Sequence, residues 1–519
     1  MNEFEELYAI RLEIESKIKK HKLFSLSRKS ATLKIFEKMG SLISLLATAE
    51  SDKKINIYKE YVGTDSNSIN EESVIQESMK WMLRWCGDYC SEFDEINEKE
   101  IKVNDIIELM GVAYSYEELD KVLFLHSKNK VSYKRINGIL KFDYKEPEKY
   151  AYHLLYDLVI RKQREAKYPE IVASLDNLKE GLNEIHWSMF EYPDDMNFGN
   201  FTLGEYKLFS SALNDYLIEH MSRNMFSNAI VLLADREGFV INSISEWIEL
   251  LADKTGLSAN KTEDIINFLT LDLSDKGADV SISYFVKVDE INLAISEVIF
   301  LLSNIEANAL RLLSKVNRGI YDKEQNRFED LERSKIGKLL DNRFEISYGK
   351  HISEKIRPGM DLLVYDESVN ELQVIELKYK IPIESVKDFI RLDELLDKGL
   401  LQIGKAKNYC EGCESTLLEE YFGKVYSGIT PNKIDYFLLT NYSVGMGGNF
   451  TLPSPVLITD HYIDVMNRGG INLIRAVLGD NGKGVPSICE TMDSNYQIAG
   501  YKFAIQDFQF RLVNLYSEL

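Results

Sequence analysis

Three charged residues interrupt an apolar segment in the C-terminal half of the chain. The segment GMDLLVYDESVNELQVIELKYK (residues 359–380) places Asp361 in one apolar run and Glu376 and Lys378 in the next. A charge that leaves water costs free energy unless an opposite charge or hydrogen bonds compensate for it. Two neighbouring carboxylates resist joint ionisation, and a hard divalent cation such as Mg²⁺ supplies the missing positive charge. These residue types therefore predict a metal-assisted hydrolytic site.

The same segment has the pattern of a β-hairpin, which would bring the three side chains together. Side chains alternate across a strand, so Glu376 and Lys378 point to one face. With a turn centred on Ser368 and Val369, antiparallel pairing places Asp361 opposite Glu376. Directly opposed side chains lie ~5 Å apart at Cβ, close enough for two carboxylates to share one cation. Lys378 would then reach a metal-bound water or a phosphate oxygen.

Helices and a further strand flank the predicted hairpin. The segment RFEDLERSKIGKLLDNRFE (327–345) is helix-like, residues 383–410 form a long amphipathic stretch, and KIDYFLLTN (433–441) is strand-like. These assignments follow from the spacing of apolar residues, which differs between helices and strands. The order of the elements predicts one α/β domain with a mixed central sheet.

The spacing of these residues resembles that of the PD-(D/E)XK nuclease superfamily, also called the restriction-endonuclease-like fold. RPGMD, which ends in Asp361, stands where the family has its PD element, and a spacer of 14 residues separates Asp361 from Glu376-Leu377-Lys378, which resembles the (D/E)XK element. The preceding helix carries IGKLLD (336–341), similar to the Gly-then-acid helix motif of the family, with an aspartate at the usual glutamate position. The segment LLQIGKAKNY (400–409) is similar to the glutamine-bearing helix of RecB-like members. The resemblance covers roughly residues 327–445.

The resemblance implies a set of site residues and a cofactor. Mg²⁺ (or Mn²⁺) would be bound by Asp361, Glu376, the backbone carbonyl of Leu377 and, directly or through water, Asp341. Lys378 would position the attacking water or stabilise negative charge in the transition state. Gln402 would orient Lys378 or a phosphate oxygen. The ion would polarise the scissile phosphate and lower the pKa of the water.

Two classes of function follow from these residues. The first is a metal-dependent nuclease that hydrolyses phosphodiester bonds of DNA, as an effector of bacterial anti-phage defence or restriction, with the helical region as sensor or regulator. The second is a catalytically inactive nuclease-like protein that binds nucleic acid or docks a partner. A purely structural alternative is a surface hairpin whose charges form a cross-strand ion pair, Glu376 with Lys378 or with a neighbour. Retention of Asp361, Glu376 and Lys378 together favours the nuclease.

Length and patterning predict several domains. The chain has 519 residues, of which 45% are hydrophobic and 28% charged, as in folded globular proteins. The predicted fold class is α+β and multidomain: a helical N-terminal domain (1–200), a helical middle region (201–322) and a restriction-endonuclease-like domain (323–519). The boundary is placed in GIYDKEQN, near 320–326. The middle region contains SISEWIELLADKTGLS, KTEDIINFLTLDLS and LAISEVIFLLSNIEANALRLLSKV, each with helical apolar spacing.

Charge and cysteine content limit the partners and the compartment. The net charge of −21 argues against polyanion binding by the surface as a whole, so a DNA partner requires a local basic patch. Candidate members are Arg327, Arg333, Lys335, Lys338, Arg343, Lys350, Lys355 and Arg357. The N-terminal helical region could dock a protein partner. Five cysteines, an N-terminus without an apolar signal core and no membrane-length apolar run predict a cytoplasmic protein without a membrane partner.

Other motifs offer weaker alternatives. CEGC, with Cys410 and Cys413, has a spacing that fits zinc or an iron–sulfur cluster if Cys86 and Cys90 complete the ligand set, but free thiols are the simpler expectation. GMGGN (445–449) and GDNGKG (479–484) match neither the dinucleotide fingerprint nor the phosphate-binding loop, and are predicted to be turns. His461 in TDHYID is predicted to lie in a loop or at a helix start.

Overall fold

The chain divides into two units in the computed structural model, which describes residues 3–48, 71–92, 100–147, 150–151, 192–227, 238–275, 277, 279–301, 303–349, 360–381, 386–441, 456–480 and 489–510. The first unit comprises Met1–Lys145, Tyr168–Asp322 and Asp493–Asp507. The second comprises Glu146–Lys167, Lys323–Met492 and Phe508–Leu519. Each unit has its own sheets and helices, and both are α+β.

The first unit combines helices with two small sheets. Its described helices are α1 (Glu3–Ile18), α2 (Arg28–Thr48), α3 (Glu71–Tyr89), α4 (Val103–Ser127), α5 (Leu203–Ser227), α6 (Ile244–Thr255), α7 (Ala259–Leu269), α8 (Glu297–Leu301) and α9 (Ile305–Val316), with a 3-10 helix at Lys22–Ser25. Its strands are β1 (Val131–Ile136), β2 (Ile139–Tyr144), β3 (Phe239–Ser243), β4 (Thr270–Leu271), β5 (Phe285–Lys287) and β6 (Asn292–Ser296). The helical content of this region agrees with the predicted helical character.

The middle region nevertheless contains a sheet that the sequence analysis missed. Strands β3, β6, β5 and β4 are neighbours in that order, and β6 pairs antiparallel with both β3 and β5. The segment from Leu293 to Val316 was expected to be helical throughout, but it begins as β6 and becomes helical only in α8 and α9. A short apolar run fits a buried strand as well as a buried helix, so its periodicity does not distinguish the two.

The second unit is built around a five-stranded mixed sheet. Its strands are β7 (Glu345–Tyr348), β8 (Leu362–Asp366), β9 (Glu371–Lys378), β10 (Lys433–Thr440) and β11 (Val456–Ile458), in the order β11-β10-β9-β8-β7. Strand β8 is antiparallel to β7 and β9, whereas β10 is parallel to β9 and β11. The predicted hairpin at 359–380 and the predicted strand at 433–441 are therefore confirmed.

Helices surround this sheet. They are α10 (Arg318–Leu339), α11 (Val386–Cys410), α12 (Glu414–Phe422) and α13 (Thr459–Asp480), with a 3-10 helix at Lys424–Tyr426. The predicted helix at 327–345 corresponds to α10, and the amphipathic stretch at 383–410 corresponds to α11. None of the described helices in either unit is both long enough and apolar enough to cross a membrane.

Strand β9 packs against a hydrophobic cluster on each of its faces. Ile375 and Leu377 belong to one cluster with residues of α10 and α13, and Leu372 and Val374 belong to another with residues of α11 and α12. Burial on both faces explains why the strand is almost continuously apolar. By alternation, Glu376 and Lys378 share the face of Leu372 and Val374, which is the α11 side.

The C-terminal strands lie outside the mixed sheet. Strands β12 (Cys489–Ile498) and β13 (Tyr501–Phe510) complete a four-stranded sheet of order β1-β2-β13-β12, with β13 parallel to β2. This differs from the expectation that residues 323–519 share one sheet. The division at Asp322 and Lys323 also falls inside helix α10 rather than in a linker. Pairing between strands more than 300 residues apart leaves no local sequence signal.

A close backbone approach at the edge of the sheet generates a stability prediction. A Cβ atom at Gly349 would lie 1.3 Å from the carbonyl oxygen of Met360, whereas a Cβ at Gly404, within α11, would meet nothing within 4 Å. Gly349→Ala should therefore destabilise the protein by about 2 kcal/mol or more, and Gly404→Ala should stabilise it by about 0.5–1 kcal/mol. Thermal unfolding of the two variants provides the comparison, and equal midpoints would contradict the close approach.

Candidate active site

The register of the β8–β9 hairpin places two carboxylates side by side. Leu362 is paired with Ile375, so Asp361, one residue before β8, lies opposite Glu376. Asp361 continues the ladder on its other side, where its carbonyl accepts a hydrogen bond from the Gly349 amide at 3.2 Å. The predicted register is confirmed, and both carboxylates lie on the α11 side of the sheet.

The hairpin turn sets this register. Asp366 pairs with Glu371 across a four-residue loop. Asn370 closes the loop with φ of 52°, a left-handed conformation that asparagine tolerates better than most residues. Its side-chain oxygen accepts a hydrogen bond from the Tyr365 hydroxyl at 2.9 Å, and the Asp366 carboxylate accepts one from the Ser368 amide at 3.0 Å. These local bonds fix the loop length on which the position of Asp361 depends.

Both carboxylates are buried and hydrogen-bonded. Glu376 is 1% exposed, Lys378 7% and Asp361 9%. The Lys378 ammonium lies 2.6 Å from Glu376 Oε1 and donates a second hydrogen bond, at 3.0 Å, to the carbonyl of Leu377. Asp361 Oδ2 accepts a hydrogen bond from the Leu377 amide at 2.9 Å. The ammonium thus contacts two of the oxygens that the sequence analysis assigned to a metal ion.

Glu376 remains incompletely satisfied in this arrangement. Its Oε2 atom is buried and has no hydrogen-bond partner within the described residues. Burial, followed by the charge of Asp361, raises the pKa of Glu376 to about 8, although Lys378 acts in the opposite direction. The site therefore favours an additional positive charge at Glu376, supplied by a proton or by a cation.

Helix α10 contributes two further residues that the sequence analysis did not assign to catalysis or metal binding. Arg333 Nη2 lies 3.2 Å from Asp361 Oδ1. Glu329, one turn earlier, is half-buried; burial raises the pKa of its carboxyl, Lys378 lowers it and Asp361 raises it. Glu329 is therefore close enough to the hairpin to interact electrostatically with it. The sequence signal that could have identified these two residues is their i, i+4 spacing, because it places both on one face of the helix.

Asp341 does not join the other candidates. It is exposed beyond the end of α10, where its Oδ1 accepts a hydrogen bond from the Arg343 amide at 3.1 Å and its own amide donates to Asn467. The contacts of Asp341 are therefore with Arg343 and Asn467, whereas the helix carboxylate that interacts electrostatically with Asp361 and Lys378 is Glu329. A role of Asp341 as a metal ligand stays a prediction.

Helix α11 passes close to Lys378 at a glycine. A Cβ atom at Gly399 would lie 3.2 Å from Lys378 Cγ and 2.7 Å from Leu438 Cδ1, so a side chain there would require the Leu438 and Lys378 side chains to shift. Gln402 is one turn later on the same helix, and its Oε1 atom is buried without a hydrogen-bond partner in the described structure. This places Gln402 on the helix that covers the site, with an unused acceptor; its proposed contact with Lys378 stays a prediction.

The donor set fits a divalent cation held by few protein ligands. No group of three or more His, Cys, Asp or Glu side chains capable of holding a metal occurs among the described residues. Two carboxylates and the carbonyl of Leu377 are nevertheless adjacent, and the buried Oε2 of Glu376 has no other partner. Mg²⁺ is commonly bound by one or two carboxylates, with water and substrate phosphate completing its shell. The residues present therefore fit Mg²⁺.

The remaining candidates are not brought to this site. Cys410 is buried beside Met360, with burial raising the pKa of its thiol to about 12, and the Cys413 thiol donates to the Tyr409 carbonyl. Cys86 and Cys90 belong to the first unit. His461 is exposed near the start of α13. The segment 445–449 and residues 481–484 of GDNGKG lie outside the described residues.

The predicted basic patch is only partly described. Arg327 pairs with Glu324 at 2.9 Å and Lys335 pairs with Asp460 at 2.5 Å. Arg343 donates hydrogen bonds to the carbonyls of Met466 and Asn467, and Lys338 is exposed near the end of α10. Arg333 is thus the member of the set that lies beside the carboxylates. Lys350, Lys355 and Arg357 fall outside the described residues.

Comparison with known proteins gives no further assignment. No protein-family model, curated protein or solved structure matches this chain. The resemblance to restriction-endonuclease-like proteins therefore rests on the residues and their arrangement at the hairpin.

The raised pKa of Glu376 predicts a pH-dependent stability in the absence of metal. Its pKa is about 8 in the folded protein against 4.5 ordinarily, so the folded state binds more protons between these values. Stability from this group is greatest below pH 4.5 and is lost as the pH rises toward 8. As the pH rises from 4.5 to 8, the melting temperature of Glu376→Gln should therefore change by a few degrees in its favour relative to that of the unmodified protein. If the melting temperatures of both proteins depend on pH in the same way, the raised pKa of Glu376 is contradicted.

The ligand set predicts which substitutions weaken metal binding. Asp361→Asn and Glu376→Gln should each reduce Mg²⁺ affinity about tenfold or more, because each removes one of two charged ligands. Lys378→Met should leave the affinity unchanged or increase it, since the lysine is not a ligand. Titration calorimetry measures the affinities. Glu371→Gln is the control, because Glu371 lies at the other end of β9 and pairs with Arg475 at 2.7 Å; equal affinities for all variants would exclude this site.

Proposed function

We propose that the second unit is a metal-dependent nuclease of the restriction-endonuclease-like type that hydrolyses phosphodiester bonds of DNA. The observation that carries this proposal is the buried pair Asp361 and Glu376 with Lys378 two residues further along β9. An apolar strand between two hydrophobic cores gains no stability from such a group of charges unless they compensate one another. The order α10, β7, β8, β9, α11, β10 around the site supports the same fold assignment.

Each residue has a defined part in the proposed reaction. Asp361, Glu376 and the carbonyl of Leu377 would hold Mg²⁺ or Mn²⁺, which when bound lowers the pKa of water and polarises the scissile phosphate. Lys378, released from Glu376 and from the carbonyl of Leu377, would hold the attacking water or stabilise the negative charge of the transition state. Gln402 would use its unpartnered acceptor to orient the Lys378 ammonium. Glu329 on α10, which interacts electrostatically with Lys378 and Asp361, would supply a further carboxylate near them.

The wider role is proposed from the architecture. A large α+β unit with many helices joined to a nuclease-like unit suits an effector of bacterial anti-phage defence or restriction, in which the first unit senses or restrains and the second cuts. The net charge of −21 requires that DNA be attracted locally, at the basic residues around α10, rather than by the whole surface.

A non-catalytic function is supported by a different observation. Each carboxylate already has a side-chain cation beside it, Arg333 for Asp361 and Lys378 for Glu376. Carboxylates that are paired with side-chain cations in this way would suit an inactive nuclease-like unit that binds nucleic acid or a protein partner. The unsatisfied Oε2 of Glu376 favours the nuclease, because compensation of that residue is incomplete.

Cleavage assays test the nuclease directly. Purified protein is incubated with plasmid, linear duplex and single-stranded DNA and with RNA, in Mg²⁺ or Mn²⁺ and in EDTA. We expect metal-dependent cleavage of DNA that Asp361→Ala and Glu376→Ala abolish and Lys378→Ala reduces about 100-fold or more. Gln402→Ala should have a milder effect, because it acts through Lys378.

Glu371→Gln provides the matched control, since it removes a carboxylate from the same strand away from the site. It should cleave like the unmodified protein. Full activity of a folded Glu376→Ala variant would contradict the proposed mechanism. Metal binding and nucleic-acid binding without cleavage of any substrate would support the non-catalytic alternative.

A further inference from the structure

Arg333 is held between an acidic helix neighbour and the candidate active site. Its Nη1 lies 2.6 Å from Asp330 Oδ1, and its Nη2 lies 3.2 Å from Asp361 Oδ1. The side chain is 18% exposed. Its Nε atom is buried and has no hydrogen-bond partner in the described part of the chain. One donor of the guanidinium is therefore unused at a position beside the carboxylates.

The contact with Asp361 conflicts with metal binding by the same carboxylate. Asp361 Oδ2 is engaged by the Leu377 amide, which is fixed by the strand, whereas Oδ1 is engaged by a side chain that can move. A cation that binds Oδ1 has to compete with Arg333 for it. Metal binding would therefore weaken the ion pair and release Nη2 from Asp361.

The released guanidinium would present a complete binding edge. Nε and Nη2 lie on the same edge of the planar guanidinium group, and together they form the fork that binds two oxygens of one phosphate. Asp361 at present occupies the Nη2 donor while the Nε donor is unused. Asp330 engages Nη1, on the other side of the group, and would hold the guanidinium in place.

We propose that Arg333 is a phosphate-binding residue that Asp361 retains in the metal-free site and releases when a divalent cation binds. The ligand is a phosphodiester of nucleic acid, bound through the Nε and Nη2 edge. This inference rests on the proposed function and adds a coupling between its two ligands. The cation and the nucleic acid bind cooperatively because both depend on separating Arg333 from Asp361. By linkage, nucleic acid should also tighten cation binding.

Removal of Arg333 should have opposite effects on the two ligands. In Arg333→Gln, Mg²⁺ should bind about threefold to tenfold more tightly by calorimetry, because Asp361 no longer has a competing cation. DNA affinity is measured in a Lys378→Ala background, which slows cleavage about 100-fold or more, with a labelled duplex and a single strand of the same sequence. The factor by which Mg²⁺ increases the DNA affinity should be about tenfold smaller when Arg333→Gln is added to this background.

Two further variants separate charge, geometry and folding. Arg333→Lys keeps the charge but not the fork, so it should retain a Mg²⁺ affinity close to the original while recovering only part of the DNA affinity. Arg468→Gln makes the same charge change on α13, outside the predicted basic patch, where Arg468 pairs with Asp464 at 2.9 Å, and should alter neither affinity more than about twofold. Equal effects of Arg468→Gln and Arg333→Gln would overturn the proposal.

The outcome distinguishes this inference from the nuclease proposal. If Arg333→Gln fails to tighten Mg²⁺ binding, or if Mg²⁺-dependent DNA binding is unchanged in Arg333→Gln, the inference is overturned even where DNA is cleaved. If the expected affinity changes occur in a protein that cleaves no substrate, the inference stands and the nuclease proposal fails. Inorganic phosphate as competitor should weaken DNA binding less in Arg333→Gln than in the original background.

Discussion

The antiparallel register between β8 and β9 is the constraint on which the candidate site depends. It places Asp361 opposite Glu376, and alternation along β9 places Lys378 on the same face. A shift of one residue would move Asp361 or Glu376 into the opposite hydrophobic core, where an ionised carboxylate has no partner. The four-residue loop closed by Asn370 therefore matters for chemistry as well as for folding.

Charge compensation explains how such a group is tolerated inside the sheet. Asp361, Glu376 and Glu329 face two basic side chains, Arg333 and Lys378, in the described part of the site. The carboxylates outnumber the cations, and burial together with the charge of Asp361 raises the pKa of Glu376. Its Oε2 atom has no hydrogen-bond partner among the described residues. Breaking one of these buried pairs without replacing its charge would be costly.

The surrounding elements position these charges through packing. Leucine and isoleucine side chains of β9 anchor it between α10 and α13 on one side and α11 and α12 on the other. Gly399 lets α11 approach the stem of Lys378, which limits the directions in which the ammonium can move. Gly349, which follows the edge strand β7, lets the backbone approach closely enough to extend the β7–β8 pairing as far as Asp361.

The sequence alone determined the hairpin, its register, the identity of Asp361, Glu376 and Lys378 and the order of the flanking elements, because these depend on local periodicity and turn chemistry. It did not identify Glu329 as the helix carboxylate that interacts with Asp361 and Lys378, since spacing within a helix shows which residues share a face but not which turn meets the hairpin. It also missed the sheet of β3 to β6, because a short buried strand has the same composition as a buried helix segment. Only the tertiary structure decided that β13 pairs with β2 and that Arg333 contacts Asp361. Both contacts join elements distant in sequence, and their geometry follows from how the helices and sheets pack rather than from any local pattern.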